Sequence, residues 1–158
     1  MAPSIIVPNR SVNGVRIPTV GYGTMLFPEP ERAAELIQGA LECGYRHIDT
    51  ARKYGSEEWV GAGIRASRLA RKDVWVTTKV TEENAKADDF KRSVDTSLKT
   101  MGLDYVDLLL IHWPQPKVPL EETLGALAHA KRQGLAKNIG VSNFTVALLD
   151  EAVAKCPE

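Results

Sequence analysis

Val106-Asp107-Leu108-Leu109-Leu110-Ile111-His112 is the stretch on which the fold turns. Five of its first six residues are apolar, and the run is too short for an ordinary helix. A run of this length and character suits a strand covered on both faces, as in a parallel sheet with helices on each crossover. It ends on a histidine. The same arrangement recurs on either side: Tyr45–Ile48 runs into Asp49, Val74–Thr78 into Lys79, and Lys137–Val141 into Ser142 and Asn143. From Asp49 to Lys79, His112 and Asn143 the steps are 30, 33 and 31 residues. About 30 residues is the length of one βα unit. In a parallel barrel the carboxyl ends of all strands converge on one face, where catalysis sits. The four polar residues are therefore expected to meet.

The remaining segments fit this rhythm. Thr19–Gly23 supplies one more strand, and helical spacing is found over Glu31–Cys43, Glu57–Ser67, Asp88–Met101, Leu120–Gln133 and Val146–Lys155. Gly44, Gly102 and Gly134 follow three of them, where helices prefer to stop. Near the start, Ser4–Val7 and Val15–Ile17 flank Asn13-Gly14, a dipeptide suited to a tight hairpin turn. No Pro-, Gly- or Ser-rich linker divides the chain, so residues 1–158 are expected to form one α/β domain: a hairpin plus about five βα units, a partial barrel.

Bulk properties narrow the function. The 158 residues are 44% apolar and 25% charged, as expected of a globular domain with a real core. Twenty basic side chains balance twenty acidic ones, so no global field draws the protein to nucleic acid or to an anionic membrane. Cys43 and Cys156 lie far apart, outside any CxxC or zinc spacing, and a reducing cytoplasm suits them. Neither an export signal nor a membrane-length apolar run is read in the chain. The expected partner is a small molecule.

Asp49, Tyr54 and Lys79 together suggest proton transfer. A phenol is ordinarily a weak acid with a pKa of about 10, but a neighbouring ammonium stabilises its phenolate and eases proton donation. A carboxylate keeps that ammonium charged and placed. His112 could hold a carbonyl oxygen within reach of the phenol by a hydrogen bond. A carbonyl that gains a proton on oxygen must also gain a hydride on carbon, which no side chain supplies, so a nicotinamide cofactor is implied. Ser142 and Asn143 offer hydroxyl and amide groups for its carboxamide.

Here a family resemblance becomes specific. Gly44-Tyr45-Arg46-His47-Ile48-Asp49-Thr50-Ala51, five further residues, Glu57, and then Val60-Gly61 resembles the first aldo-keto reductase signature without a mismatch. Lys137-Asn138-Ile139-Gly140-Val141-Ser142-Asn143-Phe144 resembles the second, and Thr78-Lys79-Val80 and Ile111-His112-Trp113-Pro114 match the contexts of the family's lysine and histidine. The resemblance implies an NADP-dependent reductase of aldehydes and ketones, similar to bacterial members that act on sugar-derived diketones and reactive aldehydes. It implies Tyr54 as general acid, Asp49 and Lys79 tuning it, and His112 orienting substrate. Gly23, Thr24, Asp49, Ser142 and Asn143 would touch the nicotinamide half, and Met25 and Trp113 would wall the substrate pocket. Met25 stands where many members carry tryptophan. The family's third signature, which grips the adenosine phosphate, has no counterpart in these 158 residues, and a complete barrel takes about 250.

Blander readings stand beside each of these. Singly, Tyr54 reads as a surface residue, His112 as a core histidine, Asp49 as a turn cap and Lys79 as a snorkelling lysine. The common step is what sets them apart. His47 and His129 read as structural, with no metal spacing. Gly61-Ala62-Gly63-Ile64-Arg65-Ala66 mimics a dinucleotide loop, but it lies inside a helix opened by Ser56 as cap with Glu57 and Glu58 in the first turn, so close helix packing explains it better. Trp59, Trp75 and the Ala33, Leu36, Ile37, Ala40, Leu41 set read as core. A phosphate-binding α/β domain is the weakest alternative, because no glycine-rich loop follows the first strand. The stronger rival to an enzyme is a non-catalytic half-barrel whose open edges require self-association or a companion segment.

Overall fold

A computed structural model describes residues 7–27 and 30–157. Its centre is a five-stranded parallel sheet in the order β3-β4-β5-β6-β7, comprising Tyr22–Gly23, His47–Asp49, Trp75–Val80, Val106–Ile111 and Ala136–Val141. Strand order equals chain order, as in a barrel wall. Four helices, α1 (Ala33–Glu42), α2 (Glu57–Ala66), α3 (Ala87–Met101) and α4 (Leu120–Arg132), supply the crossovers, and α5 (Val146–Lys155) follows β7. The glycines expected after α1, α3 and α4 all have positive φ. This is a partial βα barrel. Both edge strands, β3 and β7, pair on one side only.

Side chains alternate across a strand, so register assigns every residue to a face. The outer face carries Ile48, Val76, Val80, Leu109 and Ile111, all at or below 3% exposure. They join Ile37, Leu41, Val60, Phe90, Val94, Leu98 and Leu127 of the helices in one continuous core. The inner face carries His47 and Asp49 on β4, Trp75, Thr77 and Lys79 on β5, and Leu108 and Leu110 on β6. Thr77 links two members of this layer, bonding His47 Nε2 at 2.9 Å and accepting from Trp75 Nε1 at 3.2 Å.

The hairpin differs from expectation. It pairs β1 (Asn9–Val12) with β2 (Val15–Pro18), and Val12 lies opposite Val15 across Asn13 (φ 50°) and Gly14 (φ 80°). A two-residue loop forces the strands to run directly into the turn, so the polar 9–12 segment pairs although an apolar run precedes it. Ser4–Ile6 of the expected strand lie outside the described residues, and Val7 is in no strand. The glycine-rich segment of α2 behaves as packing. A Cβ on Gly61 would sit 1.9 Å from the Met101 carbonyl oxygen of α3, and one on Gly63 2.7 Å from Ile37 of α1. No described helix is long and apolar enough to cross a membrane.

Candidate active site

Asp49 ends β4, Lys79 lies one residue from the end of β5, and His112 directly follows β6. Tyr54 closes a single helical turn, Arg52–Tyr54, that follows β4. All four side chains meet at the carboxyl rim. Lys79, only 7% exposed, donates to Asp49 Oδ1 at 2.6 Å, to the Thr50 carbonyl at 2.9 Å and to the Tyr54 hydroxyl at 3.5 Å. An ammonium has three protons, and each has an acceptor here. That satisfaction offsets the cost of burying the charge. The Tyr54 and His112 rings meet edge to face, with centroids 5.6 Å apart.

His112 is 7% exposed, and its Nδ1 has no hydrogen-bond partner among the described residues. Burial first, and the Lys79 ammonium second, hold its pKa below the ordinary histidine value. The imidazole is therefore neutral near pH 7 and can present one N–H while it stays uncharged. His47, read as structural, lies one layer deeper; burial lowers its pKa too, and Asp49 opposes that shift.

The other rim residues divide by what their polar atoms already do. Asn143, in left-handed backbone (φ 61°), donates its amide to the His112 carbonyl at 2.7 Å and to Ser142 Oγ at 3.1 Å. Both amide protons are thus committed, so the pair can offer a ligand the Asn143 Oδ1 as acceptor and the Ser142 hydroxyl as donor. A carboxamide needs that combination. Gly23 is exposed beside Asp49 in register, and Met25 and Trp113 are 58% and 47% exposed.

Thr24 faces the other way. It is 1% exposed, and its hydroxyl bonds Ser56 Oγ at 2.8 Å and donates to the Asp49 carbonyl at 3.2 Å. Ser56 Oγ also bonds Thr50 Oγ1 at 3.0 Å. This buried hydroxyl cluster ties β3, the end of β4 and the start of α2 together beneath Asp49. Sequence reasoning missed Thr50 and took Ser56 for a side-chain cap; Ser56 occupies the cap position but makes no cap hydrogen bond. A separate groove of about 740 Å³ between α3 and α4 touches none of these residues.

Fold and rim define a partial parallel βα barrel with an Asp–Tyr–Lys–His cluster at the strands' carboxyl ends. The chain belongs to the aldo/keto reductase family, whose model matches residues 19–157. It is 44% identical over 140 residues to methylglyoxal reductase DkgB of Salmonella typhi, covering 87% of this chain and 52% of that protein. It is 40% identical over 139 residues to glyoxal reductase of Bacillus subtilis, covering 88% and 50%. The crystal structure of Bombyx mori aldo-keto reductase in complex with NADP superposes with a TM-score of 0.88 at 34% identity, over 95% of this chain and 55% of that one. The chain spans about half the length of the curated relatives it matches.

Proposed function

We propose that this chain carries the proton-transfer half of an NADPH-dependent reductase of small aldehydes and ketones. The observation that carries the reading is the three-way grip on Lys79, which sets an ammonium between Asp49 and the Tyr54 hydroxyl. When bound, the nicotinamide supplies hydride to the carbonyl carbon. Tyr54 gives its phenolic proton to the carbonyl oxygen, and Lys79, kept charged by Asp49, stabilises the phenolate that remains. Neutral His112 donates a hydrogen bond to the same oxygen and orients it toward Tyr54. Ser142 and Asn143 would hold the nicotinamide carboxamide. Gly23 leaves room beside Asp49, and Thr24 steadies that edge from beneath. Met25 and Trp113 flank the substrate. The names of the similar bacterial proteins favour a 2-oxoaldehyde such as methylglyoxal, and the free Cys43 and Cys156 suit a reducing cytoplasm.

The test is fluorescence titration of NADPH with this chain, followed by NADPH oxidation on adding methylglyoxal. Saturable binding with carbonyl-dependent oxidation supports the reading. Absence of both, in folded protein, overturns it for this chain alone.

A second reading concerns how the half-barrel is completed. Leu108 and Leu110 on the inner face are only half buried, and α5 exposes Val146, Leu149 and Val153. We propose that the β3 and β7 edges take a companion segment or a second copy of the chain. Sedimentation as a monomer with no propensity to associate would contradict this.

A further inference from the structure

We propose that Glu57 is a positioning residue for Tyr54, clamping the turn that carries the phenol to the strand that carries Lys79. The inference rests on Tyr54 acting as the proton donor, but its geometry stands independently. Glu57 opens α2 and is 2% exposed, whereas Glu58 beside it is exposed. An acid at a helix start normally faces water and gains only from the helix dipole. Glu58 meets that description; Glu57 points inward and its two oxygens take different partners. Oε1 accepts from Thr78 Oγ1 at 2.7 Å, and Oε2 accepts from Arg52 Nη1 at 3.2 Å. Thr78 immediately precedes Lys79 on β5. Arg52 begins the turn Arg52–Tyr54, and its guanidinium also donates to Thr100 of α3 at 3.4 Å.

The turn needs such an anchor. Its backbone bonds are local, from Tyr54 to Ala51 and from Gly55 to Arg52, and Gly55 leaves it in left-handed conformation (φ 67°). The neighbouring Lys53–Glu82 pair is 52% and 26% exposed, and exposed pairs hold geometry weakly. The Arg52–Glu57 pair has one partner almost wholly buried. A small shift of this turn moves the Tyr54 hydroxyl away from Lys79 Nζ, where the separation is already 3.5 Å.

The experiment uses the histidine ring protons in proton NMR. Three histidines are present, and only His112 has a ring against Tyr54. Tyr54→Leu measures the ring-current contribution of the phenol to the His112 signals. In Glu57→Gln and in Arg52→Gln, the His112 signals should move at least halfway toward their Tyr54→Leu positions, while His129 stays put and circular dichroism stays native. Where turnover is measurable, kcat should drop about tenfold with the KM for carbonyl unchanged. His112 signals that remain at the parent position in either folded variant would overturn the proposal. Arg52, 39% exposed, can be exchanged without opening the core, so the test survives if Glu57→Gln fails to fold. Because the NMR arm needs neither cofactor nor turnover, its failure is separable from failure of the reductase reading.

Discussion

The two faces of the five-stranded sheet differ in what they contribute. The outer face is mostly apolar and sealed by helices, with Ile48, Val76 and Leu109 fully buried and Thr78 bonded to the buried Glu57 among them. On β4 and β5 the inner face is a column of polar and aromatic groups, rising from the His47–Thr77–Trp75 layer to the Asp49–Lys79 pair at the rim, with Leu108 and Leu110 of β6 beside it. Burial on the outer face holds the strands; the inner face bears the cost of keeping an ammonium and a neutral imidazole out of water. The same strands supply both, so substitutions at Lys79 and at Leu109 should differ in how far they reach the chemistry.

Exchanging Lys79 for Met breaks the comparison most sharply. Turnover should fall by about 10²–10⁴-fold, the usual range for removing a general-acid device. Stability should fall only modestly, by about 1–3 kcal/mol, because the Asp49 carboxylate and the Thr50 carbonyl lose their donor while Asp49 keeps access to water. Steady-state kinetics and urea unfolding on the same preparation check both halves. Leu109→Ala is the mirror experiment: emptying a fully buried outer-face site should cost about 2–5 kcal/mol of unfolding free energy while the rim geometry persists. Gly61→Ala probes the next layer out. Its new methyl would press on the Met101 carbonyl, so α2 and α3 must part, at a cost of about 1–3 kcal/mol read as a lower urea midpoint.

The smallest expected effect is on pH dependence. His47 and His112 have folded-state pKa values below the ordinary 6.5, so the unfolded chain takes up protons first as pH falls. Stability should therefore be flat above about pH 7.5 and decline as pH drops through about 6.5, the unfolded histidine value. Urea midpoints at intervals between pH 8 and 5.5 give the slope, and His47→Gln should flatten it.

Much of this architecture is legible in the sequence where an element has neighbours on both sides. Val106–Ile111, paired on both sides, begins and ends as its apolar pattern predicts. At the edges the pattern misleads. Thr19–Gly23 shrinks to Tyr22–Gly23 because β3 has one partner, and the Thr19 amide is taken by Pro8 of the hairpin segment. β4 starts late because the Tyr45 amide returns to the Ala40 carbonyl at the end of α1. β5 runs on through Lys79 to Val80 because β6 continues to pair with it. The four rim residues could be read from their common step along the chain. The inward roles of Thr50, Ser56 and Glu57 could not, because Ser56 and Glu57 meet the distant Thr24 and Thr78, and the turn of Thr50 toward Ser56 leaves no periodic trace.

Carbonyl-dependent NADPH oxidation, with the parent chain and Tyr54→Phe side by side at saturating cofactor, decides whether the phenol is the proton donor. Tyr54→Phe should bind NADPH as the parent does but turn over at least about a hundredfold more slowly, because the proton donor alone is gone. Equal rates in the two proteins would contradict it.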